Sequence, residues 1–225
     1  MLELINTSDG SHTIKHHGLN ETYHSTHGAI QESRHVYIEQ GLHYYINQRH
    51  PKSIRILEIG FGTGLNALLT MIDDGAREIK KAYHTVEAFP LTDDILNQLN
   101  YPDQLGKEAQ LGFSKLHKAP WNEDIEAGKN FTIHKINADI RSLKLSGEPY
   151  DLIYFDAFAP KIQPEIWGKS VLTTVIGVMS KEGILVTYCA SGQFKRDLKS
   201  LNMQVEEVSG PPGKRVMTRA HRLRK

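Results

Sequence analysis

The chain has 225 residues, 39% of them apolar and 24% charged, and a net charge of +1. That balance fits a globular chain with a sizeable core and excludes a low-complexity or disordered polymer. No apolar run approaches the roughly 18–20 residues that cross a bilayer, and the first ten residues lack the basic-then-apolar pattern of a signal peptide. A lone cysteine, Cys189, cannot form an internal disulfide, so a cytoplasmic setting is expected.

The near-neutral total hides an asymmetry. Residues 191–225 hold nine Lys or Arg against three acids, a balance of +6, and the remainder carries −5. A basic end on a mildly acidic body suggests contact with a polyanion; a solvated tail is the alternative for the last four residues.

In chain order, Thr13 to Tyr23 mixes β-formers with His16, His17 and Gly18 and predicts a short hairpin. A helix is expected over about residues 30–47, with Ala29, Val36, Tyr37, Leu42, Tyr44 and Tyr45 as its apolar positions and Pro51 ending it. Four histidines lie between 16 and 27, without a carboxylate or cysteine at ligand spacing and without H-E-x-x-H. They read as polar lining of a pocket mouth, and no metal is expected.

The stretch from Leu57 to Asn66 organises the rest of the chain. Apolar, β-branched residues lead into Gly60, Phe61, Gly62, Thr63 and Gly64, then into an apolar run from Leu65. This is a buried strand, a tight turn and a helix start. The dinucleotide fingerprint spaces its glycines G-x-G-x-x-G. Here the third glycine comes one residue early and Glu58 stands two before the first. The order acid-x-G-x-G-x-G resembles motif I of class I S-adenosylmethionine-dependent methyltransferases, although a glycine turn can also be purely structural.

A second strand from Ala82 ends at Glu87, where nucleotide-binding folds place an acid for ribose hydroxyls; a solvated strand-end glutamate is the bland alternative. Residues 100–129 carry Pro102, Gly106, Gly112, Pro120 and Gly128 and read as helical fragments, with Trp121 in the core. Phe131 to Asn137 alternates as a strand and delivers Asp139 and Ile140, where the acid suits an adenine amino group or a helix N-cap. The strand from Tyr150 ends at Asp156, followed by Ala157, Phe158, Ala159 and Pro160, beyond a carboxyl end where open α/β sheets bind ligands. A helix is expected to open at Gln163–Trp167. Gly183 to Cys189 forms another strand, Ser191 to Leu201 a basic helix, and two strands flank Gly210–Arg215 as a closing hairpin.

Together these predict an α/β Rossmann-like fold: a doubly wound sheet, parallel until a C-terminal antiparallel hairpin. Residues 1–50 form an N-terminal hairpin and helix extension on the active-site side of a methyltransferase domain over 51–225.

The collected motifs resemble the methyltransferase component of the bacterial MnmC enzymes, especially the stand-alone form sometimes called MnmD. They are EIGFGTGLNALL from Glu58, EAFPL from Glu87, Asp139-Ile140, FDAFAPKIQPEIW from Phe155, TYCASG from Thr187 and GPPGKRVM from Gly210. Residues 23–28 and 32–42 add to the likeness, which spans about residues 23–220. Ala157 departs from the glycine that many relatives carry there, and within 225 residues the flavin-dependent oxidase of two-domain relatives is not expected. The resemblance implies methyl transfer from S-adenosylmethionine to 5-aminomethyl-(2-thio)uridine at the tRNA wobble position.

On that basis Glu58, Gly60, Phe61, Gly62, Thr63, Gly64 and Asn66 are expected at the methionine portion of the cofactor. Glu87 and Ala88 are expected at the ribose, and Asp139 and Ile140 at the adenine, with Asp156 also within reach of the cofactor. Asp156 would orient and deprotonate the amine, Phe158 stack on the uracil, and Pro160 shape the wall. Tyr23 and Glu32 would close the site. Lys195, Arg196, Lys199, Lys214 and Arg215 are candidates for phosphates of an anticodon stem-loop. The rivals are a class I methyltransferase acting on another small amine or on protein, and a non-catalytic RNA-binding relative.

Overall fold

The structure, a computed structural model, describes residues 1–222; Arg224 and Lys225 of the basic tail lie outside the described residues. The β-rich N-terminus forms a small antiparallel meander of β1 (Leu2–Asn6), β2 (His12–His16) and β3 (Glu21–Thr22). The expected hairpin is therefore its second half. A single helix then spans 29–49. It is α-helical over Ala29–Ser33 and Tyr44–Arg49 and π-helical over Arg34–His43. Val36, Tyr37 and Leu42 are buried, and Tyr44 is only half-buried. Gly41 lets the helix lie close on the sheet: a Cβ there would come within 3.0 Å of Val186 and 3.2 Å of Tyr154.

The central sheet contains β4 (Ser53–Ile59), β5 (Lys80–Glu87), β6 (Asp124–Gly128), β7 (Phe131–Asn137), β8 (Tyr150–Phe155), β9 (Met179–Thr187), β10 (Met203–Ser209) and β11 (Val216–Arg222). Their order is β10-β11-β9-β8-β4-β5-β7-β6. The pairs among β9, β8, β4, β5 and β7 are parallel, and β11 runs antiparallel between β9 and β10. Chain order reverses direction at β4, with β5 on one side and β8 on the other. That is the switch point at which such sheets bind ligands.

Three expectations need correction. The sheet is not parallel up to its last hairpin, because β6 pairs antiparallel with β7 at the opposite edge. Gly112 does not break a helix: it lies inside Lys107–Lys118, where a Cβ would come within 2.0 Å of Met71 Cε. A close helix contact outweighs glycine's poor helix propensity here. Residues 164–167 form turns, and the helix begins only at Lys169. Trp167 is instead buried against Phe155 and Phe194, which commits this stretch to the loop that follows β8.

Candidate active site

A cavity of about 790 Å³ opens at the switch point, lined by the turn after β4 and the segments after β5, β7, β8 and β9. Small-molecule sites typically fall in the range of roughly 300–1,000 Å³. The turn is left-handed at Gly60, Gly62 and Gly64, with φ of 94°, 49° and 72°. Gly60 must be glycine twice over, since a Cβ would also sit 2.4 Å from the Asp156 carbonyl oxygen. The two strand ends thus meet backbone to backbone, and Asp156 N–H donates to Ile59 O at 2.9 Å.

Asp156 lines the cavity. The Asn66 amide donates to its Oδ2 at 2.7 Å and to Glu58 Oε1 at 3.1 Å, spending both N–H groups on two carboxylates. Asn66 Oδ1 is buried and, among the described residues, unpartnered, while Asn66 itself lines the cavity. An acceptor so placed suits an ammonium group such as that of a methionine portion. Burial pushes the Asp156 carboxyl up to about 6, against the opposing effects of Tyr37 and Asn66. Glu58 is fully buried and pushed to about 8 by the same cause. It does not line the cavity; it supports the floor through Asn66. Its expected direct contact with the cofactor is therefore corrected to one residue removed.

Gly64 also stays out of the lining, because it faces Phe61 and His117, both within about 3 Å of where a Cβ would be. Pro160 is not in the lining either, although its neighbours Ala159 and Lys161 are. The loop turns its proline away while Trp167 Nε1–H and the Tyr188 hydroxyl donate to the Phe158 and Ala157 carbonyls, each at 2.7 Å. These two donors hold the loop after β8 against the cavity.

Gly60, Phe61, Gly62, Thr63, Glu87, Ala88, Asp139, Ile140 and Phe158 do line the cavity, with Tyr23 and Glu32. Glu87 accepts the Gly62 N–H at 3.0 Å and the Phe89 N–H at 2.8 Å, which fixes its carboxylate beside the turn. Asp139 is engaged by the Arg141 guanidinium, which holds its carboxyl below the usual range. Tyr23 packs edge-on against Phe158 with ring centres 4.9 Å apart, and burial next to Glu87 pushes its hydroxyl up to about 12.

The five basic candidates separate. Lys214 lines the cavity and pairs with Glu32 at 2.7 Å, and Lys195 is paired with Glu207. Arg196, Lys199 and Arg215 are exposed. Sequence reasoning missed Tyr37 and Tyr188 as neighbours of Asp156, although both lie in motifs already singled out. Of the four early histidines, His16 and His24 line the cavity. His24 is bonded to Thr63 at 2.9 Å and pushed down to about 4 by burial.

Sheet order, glycine turn and strand-end acids together define a class I methyltransferase. The chain belongs to the S-adenosyl-L-methionine-dependent methyltransferase family, whose model matches residues 108–223, downstream of the glycine turn itself. It is 27% identical over 209 residues to the tRNA 5-methylaminomethyl-2-thiouridine biosynthesis bifunctional protein MnmC of Burkholderia multivorans, covering 88% of this chain and 31% of that protein. The protein of that name from Leptospira interrogans is 28% identical over 206 residues, with 88% and 32% covered. This chain thus spans about a third of the length of those relatives. A crystal structure of MnmC2 from Aquifex aeolicus superposes with a TM-score of 0.81 at 24% identity, covering 98% of this chain and 70% of that one. A SAM-bound amino pentose methyltransferase from Micromonospora echinaspora shares the fold at a TM-score of 0.50 and 11% identity, with 80% and 88% covered.

Proposed function

We propose that this chain methylates the primary amine of 5-aminomethyl-(2-thio)uridine at the tRNA wobble position, giving the 5-methylaminomethyl derivative. The carrying observation is Asp156: a carboxylate at the end of β8, held by Asn66 in the same cavity as the glycine turn. The names of the MnmC relatives, which print tRNA 5-methylaminomethyl-2-thiouridine biosynthesis, support the product and with it an aminomethyl acceptor.

When bound, S-adenosylmethionine supplies a methyl on a sulfonium; the amine lone pair forms the new N–C bond and the C–S pair stays with sulfur. The chain's own task is to align the amine and free its lone pair. Such an amine resembles lysine, with a pKa of ~10, and arrives protonated. Asp156, ionised above about pH 6, attracts the ammonium and takes its proton directly or through water. Phe158, braced by Tyr23, offers a face to the uracil. Gly60 to Thr63 and Asn66 hold the methionine portion, Glu87 and Ala88 the ribose, and Asp139 and Ile140 the adenine. Arg196, Lys199 and Arg215, with Lys195 behind them, meet phosphates of the anticodon stem-loop. Residues 1–50 act as an extension that closes the substrate side over the methyltransferase domain of 51–225.

The test is transfer of labelled methyl from S-adenosylmethionine to tRNA carrying 5-aminomethyluridine, against the same tRNA with unmodified uridine. Label only on the first is expected. Equal label on both, or on neither, would overturn the assignment.

A further inference from the structure

Lys214, 35% exposed along its side chain, is tied to an acid at the cavity rather than free on the surface. Its ammonium donates to Glu32 Oε1 at 2.7 Å and lies 3.9 Å from the centre of the Tyr188 ring. Glu32 is 7% exposed, and its other oxygen accepts the Ser25 N–H at 2.7 Å, so the carboxylate is fixed rather than swinging in solvent. The hairpin loop carrying Lys214 is fixed as well: Gly213, at φ 84°, comes so close to His27 that a Cβ would stand 2.1 Å from its ring. Both partners of the pair line the cavity that contains Asp156. A pair with a buried acid and a partly exposed lysine adds little net stability, because desolvation of the acid and screening of the lysine offset the attraction. Its position beside a further carboxylate gives it a chemical use.

We propose that Lys214 sets the charge of the amine pocket: by neutralising Glu32 it leaves Asp156 as the unpaired member of the two carboxylates on the acceptor's side of the cavity. The inference rests on the reading of the acceptor as a primary alkylamine. Such an acceptor must lose a proton before it attacks. An ammonium between two bare carboxylates is held in its charged form and has no lone pair to offer. With Glu32 already paired, the proton has one place to go, Asp156, and the cation next door favours its departure. Lys214 is thus a positioning residue acting through Glu32.

The groups that bear on Asp156 come from every element around it. The N-terminal helix presents Glu32 and Tyr37, β4 presents Glu58 and β5 Tyr83, the segment after β9 presents Tyr188, and the hairpin presents Lys214. Beside the pair itself lies His24, which burial keeps neutral above about pH 4. Only Glu32 and Lys214 form an ion pair among these, so replacing them singly and together isolates the charge effect.

Two readings of Lys214→Met and Lys214→Met/Glu32→Gln test the proposal. In substrate-free protein, the Asp156 carboxyl titration followed by carbon-13 NMR should move up by about one pH unit in the single variant, where Glu32 becomes an unpaired anion. It should return towards the wild-type value in the double variant, and Lys214→Arg should not move it. An Asp156 titration that stays put in Lys214→Met overturns the proposal, whether or not the protein acts on tRNA. In turnover, the rising limb of kcat against pH should shift the same way in the single variant and be restored in the double. A loss that the second substitution deepens instead, as a phosphate contact or a mechanical clasp predicts, also overturns it. An Asp156 shift in a protein inactive on aminomethyl tRNA supports the charge-setting role and rejects the acceptor assignment alone.

Discussion

At the scale of single residues, two carboxylates share one amide and do different work. Asp156 faces the cavity and Glu58 lies beneath it, and Asn66 donates to both. Replacing Asp156 with Asn keeps the shape and removes the carboxylate proposed as the base. In that variant kcat should fall by about 10²–10⁴ while the affinity for S-adenosylmethionine, read by isothermal titration, changes little. Glu58 leaves its mark on stability rather than on the reaction. Its folded-state pKa of about 8 lies above its ordinary value of 4.5, so the folded chain binds the extra proton between those pH values. Its contribution is complete below about pH 4.5 and is lost as pH rises through 8. Glu58→Gln, neutral throughout, should therefore raise Tm relative to wild type by about 3 °C or more at pH 8.5 compared with pH 5. Calorimetry at the two pH values checks it, and a gain independent of pH would contradict the buried-proton reading.

At the scale of elements, the glycine turn was legible because its chemistry is local. Three left-handed glycines and a flanking acid are set by backbone sterics that the sequence carries on its face. Glu87 at a strand end, and Asp139 and Asp156 just beyond theirs, were legible for the same reason, as β-forming stretches giving way to an acid. The helix over 29–49 was legible only in outline. Its ten π-helical residues depart from the 3.6-residue period by which faces are assigned, so Tyr37 read as core while it comes to bear on Asp156. Glu32 and Tyr37, five residues apart, both act on that carboxylate. Strand β6 hid among Pro and Gly because edge pairing depends on a partner distant in the fold, and Gly112 misled because its constraint is Met71 rather than the helix. Two glycines separate strain from crowding. Gly60→Ala meets both a left-handed φ and a carbonyl 2.4 Å away, whereas Gly106→Ala, at φ 89°, has nothing within 4 Å. Gly60→Ala should destabilise by about 1–3 kcal/mol and abolish cofactor binding in thermal-shift titrations; Gly106→Ala should retain cofactor binding.

At the scale of the whole molecule, the basic C-terminal segment divides by what it touches. Lys195, Lys214 and Arg219 are paired with Glu207, Glu32 and Glu206, whereas Lys199 and Arg215 are exposed. Net charge alone could not make that division, because it depends on which acids the fold brings near. Replacing Lys199 and Arg215 with Ala should weaken tRNA binding and flatten its dependence on log salt by roughly one unit per lost phosphate contact. Asp156→Asn should leave that slope unchanged. Filter binding across a salt series distinguishes the two.

The glycine turn after β4 and the acid after β8 meet in one cavity, and the proposed methylation of an aminomethyl group draws on both. The most direct measurement is nucleoside mass spectrometry of tRNA carrying 5-aminomethyluridine, before and after incubation with the protein and S-adenosylmethionine. The predicted result is loss of the 5-aminomethyl nucleoside and a matching gain of the species heavier by one methylene. An unchanged nucleoside profile, with S-adenosylmethionine bound, would contradict it.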